Sequence, residues 1–290
     1  MDVALATCKI LPEPDPDEAP LLSALEDAGV HAGSLAWDAE DADFSSVTLT
    51  ILRSTWNYPW HVTAFDRWLR QTDPVTQLLN PLSVVQWNLH KSYLLDLAAR
   101  DIPAAPTALV QRREPRSLAQ VLSDRGWDDV VIKPAISAGS YRTIRCTAAN
   151  RDEGQAHLDL LTADGDALVQ PYLRSVEDHG ERALVWIDGA FTHAVRKTPR
   201  LAGQDEAVEA AELLDAEVEL AERTLATIDA PLLYARVDVT RDPRGAPLVM
   251  ELELVEPSLF FCHEPRALER FVRGVQTRLA DTRKEAIEPR

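Results

Sequence analysis

At 290 residues the chain exceeds one typical domain, and a 46% apolar share with seven Trp supplies a large packed core, so two or three subdomains are expected. A balance of 47 acidic against 30 basic residues, net −17, argues against nucleic acid as a partner. No apolar run approaches the roughly 20 residues that cross a bilayer, the start MDVALATCKI lacks a signal pattern, and Cys8, Cys146 and Cys262 are too scattered for a disulfide framework or zinc site, so a cytoplasmic location with free thiols is expected.

VALATCKI reads as a buried strand, LLSALEDAGV as a helix stopped by Gly29, and HAGSLAWD and SSVTLTILRSTW as two more strands. That order predicts a small α/β domain over residues 1–80, whose ligands would meet the carboxyl ends of its strands. AFDRWLRQ adds a helix, and LLNPLS a connector broken by Pro81. At one strand end LRSTWNY offers Arg53, Thr55 and Asn57 to an amino-acid carboxylate; the plainer reading is a capped strand end with a salt-bridged Arg53. A second unit, 81–166, opens with one helix from Val84 to Ile102. Then come strand TALVQ, helix SLAQVLSDRG, strand VVIKP, loop AISAGS, strand YRTIRC and a helical stretch at 157–162. A third unit, 167–290, starts with ALVQPYL. Strands ERALVWIDG and AFTHAVRK turn at Asp188-Gly189, one long amphipathic helix spans 207–228, and LLYARVDV leads through RDPRGAP into VMELELVEPSLFF.

In that last stretch Met250, Leu252 and Leu254 alternate with Glu251 and Glu253, which puts both carboxylates on one face of a strand, about 7 Å apart. Folding LLYARVDV back on it symmetrically about Arg244 and Gly245 sets Asp238 opposite Glu251 and Arg236 opposite Glu253. Three carboxylates against one arginine leave excess negative charge. Hard oxygen donors of this kind suit Mg²⁺, with Mn²⁺ as a substitute; the plainer alternative is a wet face with charges paired across the strands. A Mg²⁺ of this kind carries a nucleotide, whose phosphates need cations. Lys133 closes an apolar strand where a lone lysine is costly to bury, and Ser137, Ala138, Gly139 and Ser140 follow as a loop whose N–H groups could approach phosphate. Lys91, in NLHKSYLL, reads by itself as a solvated helix lysine, and no P-loop or dinucleotide fingerprint is present.

Taken in order, Lys91, Lys133 with its small-residue loop, the apolar hinge VQPYL and the acidic strands resemble the ATP-grasp ligases over residues 85–262, most of all their prokaryotic glutathione synthetase branch. The resemblance implies an α/β (α+β) ATP-grasp fold, a Rossmann-like amino-terminal domain followed by two α+β subdomains that clamp ATP. It implies Lys91, Lys133, Ser137, Gly139 and Ser140 around the ATP phosphates or adenine edge, Gln170 with the backbone of Tyr172 and Leu173 on the adenine, and Glu177 or Glu181 on the ribose. Arg196 would reach the transferred phosphoryl group with Lys197 next in line; Asp238, Glu251 and Glu253 would bind two Mg²⁺; Arg236, Glu256 and Ser258 would face the substrate. Two departures stand out. Glu253 occupies a position that is asparagine in glutathione synthetases, and the loop TPRLAGQDEAVEAAE lacks their paired glycines.

RSTWNY, SAGSYRT, HAVRK and MELELVEPSLFF together look like the cyclo-ligases of D-cycloserine biosynthesis, which close O-ureido-D-serine into an isoxazolidinone ring. The implied reaction turns a carboxylate into an acyl phosphate at the expense of ATP, and a nitrogen of the same small amino acid then displaces phosphate. A homodimer is allowed. The alternatives are a ligase making an amide or peptide bond on another amino acid, a metal-dependent hydrolase that uses no ATP, and a non-catalytic nucleotide-binding regulator. Glu251→Gln is expected to abolish turnover with little loss of folding.

Overall fold

The computed structural model describes residues 1–198 and 207–287. Its first strand, β1 (Val3–Thr7), is apolar and buried on both faces, as a strand inside a parallel sheet must be. It is joined by β2 (Ala32–Ala36), β3 (Leu49–Ser54) and β4 (Gln77–Leu79) in the order β2-β1-β3-β4, every pairing parallel. Helices α1 (Glu18–Asp27) and α2 (Val62–Thr72) carry the chain between β1 and β2 and between β3 and β4. The expected connector after α2 thus supplies the fourth strand. Gln77, Leu78 and Leu79 are too few to show a period, and they pair only because β3 leaves an open edge beside them.

The single helix expected from Val84 to Ile102 is two: α3 (Leu82–Leu89) and α4 (Tyr93–Ala99), with His90 extended between them. The break is supported from outside. The Lys91 N–H donates to the Ala135 carbonyl at 2.7 Å, and His90 Nδ1 pairs with Ser92 Oγ at 2.8 Å. Lys91 therefore leaves the solvated helix face assigned to it and is buried.

Strands β5 (Ala108–Val110), β6 (Val130–Pro134), β7 (Ile144–Cys146) and β8 (Ala167–Pro171) form an antiparallel sheet in the order β5-β8-β6-β7. Helices α5 (Leu118–Arg125) and α6 (Arg151–Asp164) share its core. Because β8 lies between β5 and β6, this unit runs to Pro171, past the boundary expected at residue 166. α3 and α4, in turn, pack on the sheet that follows rather than on this one.

That last sheet is also antiparallel, in the order β11-β10-β9-β12-β13: β9 (Glu181–Ile187), β10 (Ala190–Lys197), β11 (Val208–Ala211), β12 (Tyr234–Arg241) and β13 (Pro247–Glu253). The short α7 (Ser175–Asp178) precedes it, α8 (Asp215–Leu225) packs on β13, and α9 (Pro265–Ile287) packs on β9 and β10. The long helix expected over 207–228 starts only at Asp215. Val208–Ala211 is drawn instead into pairing with β10, whose outer hydrogen-bonding groups need partners. Of the glycine-poor loop expected to matter, residues 199–206 lie outside the described chain.

The hairpin of β12 and β13 pairs Asp238 with Glu251 and Arg236 with Glu253, the register that symmetric folding predicts. Beyond Asp238 a bulge shifts it, so that Val239 faces Val249 and Met250 is the extra residue. Leu5 and Ile51 of the first sheet share one core with Val185 and Tyr234 of the last sheet and Phe271 of α9. Each such fully buried side chain contributes about 1.5–3 kcal/mol. The two sheets are therefore one packed body.

Candidate active site

A cleft of about 370 Å³ is lined from all three sheets: by Trp56, Tyr58 and Trp60 beyond β3, Lys133 of β6, Gln170 of β8, Glu181 of β9, Lys197 of β10, Arg236 of β12, and Glu251 and Glu253 of β13. Its floor is a set of buried ion pairs. Lys91 and Lys133 each donate to Glu251, to Oε2 and Oε1, both at 2.6 Å. Lys197 donates to Asp238 Oδ2 at 2.6 Å and lies 2.5 Å from Glu181. Arg236 grips Asp238 in a fork, Nε to Oδ1 at 2.8 Å and Nη2 to Oδ2 at 2.9 Å, and also bonds Glu253.

These pairings decide the charges. Burial by itself would protonate Glu251, but the Lys133 and Lys91 ammoniums hold its carboxyl well below the usual range. Asp238, just as buried, is held down by Arg236 and Lys197. Burial works against the charge of Lys197, yet Asp238 and Glu181 keep it firmly protonated. Burial pushes Glu181 up to about 7 against the pull of Lys197. Burial and the nearby Glu253 push Glu256 up to about 8. The site is thus a row of fixed cations interleaved with carboxylates, two of which, Glu181 and Glu256, are raised from the ordinary carboxylate range into the neutral one.

The structure brings most of the expected residues together and turns several away. Lys91, Lys133, Ser137, Gly139, Ser140, Gln170, Tyr172, Leu173, Glu181, Lys197, Arg236, Glu251, Glu253, Glu256 and Ser258 all line the cleft. Arg196 does not. It alternates with Lys197 along β10, and its guanidinium donates to the carbonyls of Asp178 and His179, each at 3.1 Å. Between the two candidates for the ribose, only Glu181 lines the cleft. Glu177 stands half exposed outside it, accepting from Tyr172 Oη at 2.9 Å. Asp238 is also absent from the lining, 0% exposed, with both oxygens taken by Arg236 and Lys197. It anchors those cations and has no oxygen open for a metal.

Arg53, Thr55 and Asn57 are corrected together. Arg53 is 1% exposed, donates to the Pro257 carbonyl at 3.0 Å and lies 3.6 Å from Asp17. Asn57 accepts from Trp37 Nε1 at 2.7 Å and donates to Asp38 at 2.8 Å, and Thr55 is fully buried. Their neighbours Trp56, Tyr58 and Trp60 line the cleft in their place. Past the end of β3 the chain turns into a short 3-10 helix at Tyr58–Trp60, and nothing in the local pattern says which of these side chains meets the cleft. Asn88 and Tyr93 have a role that no local sequence signal marks. Asn88 donates to Leu252 O at 2.8 Å and accepts from Leu254 N at 2.7 Å, while Tyr93 Oη accepts from Leu252 N at 3.0 Å. Together they serve as the missing neighbour strand along the outer edge of β13.

Among the described residues no three His, Cys, Asp or Glu side chains are grouped so as to hold a metal ion by themselves. Glu251 and Glu253 nonetheless fit Mg²⁺, which is typically held by one or two carboxylates plus substrate phosphates and water. They share a face, line the cleft, and keep side-chain exposures of 20% and 28%.

Comparison with known proteins agrees with this layout. A family model described as the D-cycloserine synthetase DcsG N-terminal domain matches residues 3–80. The cycloserine biosynthesis protein DcsG of Streptomyces lavendulae is 31% identical over 300 residues, spanning 96% of this chain and 98% of that protein. The crystal structure of D-cycloserine synthetase DcsG superposes with a TM-score of 0.89 at 30% identity, covering 96% of this chain and 100% of that one. A D-alanine–D-alanine ligase from Bacillus anthracis, complexed with ATP, shares the fold with a TM-score of 0.63 at 14% identity, over 99% of both chains. The chain shares the fold of the ATP-grasp ligases and belongs to the DcsG family.

Proposed function

We propose that this chain uses ATP to activate the carboxylate of O-ureido-D-serine and closes it to D-cycloserine. One observation carries the reading. Lys91 and Lys133, from different elements, converge on Glu251 beside a second cationic pair, Lys197 and Arg236, in one cleft. Such an array neutralises a triphosphate and a phosphoryl group in transfer, a reaction that asks for positioning and charge more than covalent help.

In this reading Gln170, Tyr172 and Leu173 hold the adenine and Glu181 the ribose. Lys91 and Lys133 exchange Glu251 for phosphate oxygens, which frees that carboxylate, with Glu253, for Mg²⁺. The metal, when bound, supplies charge neutralisation between the phosphates. Lys197 stands where Arg196 was expected and meets the transferred phosphoryl group, and Asp238 keeps it and Arg236 in place. Ser258 and Arg236 face the amino acid.

The test is ADP release across a panel of amino acids, with O-ureido-D-serine among them, coupled to detection of the ring product. Release stimulated by that compound, with D-cycloserine formed in step, is expected. Ester hydrolysis without ADP would favour a metal-dependent hydrolase, and ATP binding that no amino acid converts to ADP release would favour a regulator. Stimulation by a different amino acid with an amide product would reassign the substrate within the ligases.

A further inference from the structure

Ring closure by a nitrogen needs a group to take that nitrogen's proton, and most of the cleft cannot. Lys91, Lys133, Lys197 and Arg236 are cations engaged with carboxylates. Glu251 and Glu253 pair with cations here and would hold Mg²⁺ in the ligase reading, and Glu181 is paired with Lys197. Glu256 differs. It lines the cleft, is 9% exposed, and among the described residues forms no ion pair with any of these cations, while Tyr58 of the amino-terminal domain lines the same cleft.

Its backbone is mounted rigidly. The Glu256 carbonyl accepts from Trp56 Nε1 at 3.0 Å, the Pro257 carbonyl from Arg53 at 3.0 Å and the Ser258 carbonyl from Arg236 at 3.3 Å. The N–H groups of Leu259, Phe260 and Phe261 all donate to the carboxylate of Asp17, at 2.7 to 3.0 Å. Six consecutive residues are thus held from behind, which leaves the Glu256 side chain as the part free to act. Rigid mounting of this kind is what a catalytic group needs.

We propose that Glu256 is the proton acceptor for the attacking nitrogen in ring closure. The inference rests on the ligase reading above. As the ureido nitrogen next to oxygen bonds the carbonyl carbon of the acyl phosphate, its N–H proton passes to a Glu256 carboxylate oxygen and the bond from that carbon to the phosphate oxygen breaks, releasing phosphate. The carbamoyl group still on the ring nitrogen is then cleaved off by water, as carbamate that falls to carbon dioxide and ammonia, which leaves D-cycloserine. Burial and Glu253 raise the proton affinity of this carboxyl, while Tyr58, Lys91 and Arg236 oppose the rise, so that it can both lose and take a proton near neutral pH.

The test separates the two half-reactions. With ATP, Mg²⁺ and O-ureido-D-serine, Glu256→Gln should still release ADP and yield a hydroxamate when hydroxylamine traps the acyl phosphate, while D-cycloserine formation falls by roughly 10²–10⁴-fold. Glu256→Asp, which keeps a carboxylate but withdraws it, should close the ring faster than Glu256→Gln. Overturning results are ring closure by Glu256→Gln within tenfold of the unmodified protein, equal rates for the two variants, or loss of acyl phosphate together with product, which would make Glu256 a binding group. Failure of the unmodified protein itself to give hydroxamate or ADP would instead overturn the ligase reading, and this inference with it.

Discussion

Glu251 shows how far one carboxylate can be committed before any ligand arrives. Its two oxygens neutralise Lys91 and Lys133, which are 8% and 7% exposed. The sequence leads one to expect that Glu251→Gln spares folding; the ion pairs say otherwise, because the amide would leave two buried ammoniums without an anion. A stability loss of about 3–5 kcal/mol is predicted, together with loss of turnover. Denaturant unfolding in the absence of nucleotide measures it, and a change under 1 kcal/mol would show that the lysines find other partners. Glu256 gives the opposite sign. Its carboxyl, pushed up to about 8 in the folded protein, holds its proton more tightly than in the unfolded chain. Stability should therefore fall as pH rises from about 4.5 to about 8, by on the order of a few kcal/mol. Melting temperatures of the unmodified protein and Glu256→Gln across pH 5 to 9 test this: the variant should lack that part of the decline, and parallel curves would remove Glu256 as its source.

At the scale of an element, β10 shows what a period of two does to adjacent cations. Lys197 faces the cleft and the buried Asp238, while Arg196 faces away and ties down the carbonyls of Asp178 and His179. Lys197→Met should cut kcat at least a hundredfold, since it removes a fixed charge from the proposed phosphoryl path. Arg196→Ala should leave kcat within a few-fold and cost about 1–3 kcal/mol in its two hydrogen bonds. The reverse ranking would return the catalytic role to Arg196. The carboxylate hairpin is the element most legible beforehand: turn chemistry and alternation are local, and Asp238 does pair with Glu251. The bulge after Asp238 was invisible because it follows from pairing geometry, which leaves no mark on the residue pattern.

Across the whole molecule, the amino-terminal sheet is bolted to the carboxyl-terminal one through a few buried polar groups. Asn80 donates to the carbonyls of Tyr234 and Leu254 and accepts from Leu233 N, at 2.8 to 2.9 Å. Tyr234 Oη lies 2.8 to 3.0 Å from the carbonyls of Leu52, Leu79 and Val255. Asp17 both caps residues 259–261 and balances Arg53. Asp17→Ala would strand that buried guanidinium and free the segment carrying Glu256. A loss of about 3–5 kcal/mol is predicted, with a parallel fall in ring formation. Thermal unfolding and product assays on the same preparation check it; intact activity in a destabilised variant would show that the mount is not needed for catalysis.

The amino-acid sequence by itself determined most strands and most helices, the register at the heart of the hairpin, and the order in which lysines, hinge and acidic strands follow one another. All of these are written in near-neighbour periods, turn residues and spacing. Tertiary structure alone decided which of residues 53–58 and which of Arg196 and Lys197 meet the cleft, why the helix breaks at His90, and why Val208–Ala211 extends a sheet. It also decided that Glu251 waits on lysines 160 and 118 residues away. A local period fixes which residues share a face, but not what that face will be packed against. That depends on contacts between segments far apart in the chain, which form only when the three sheets close around one cleft.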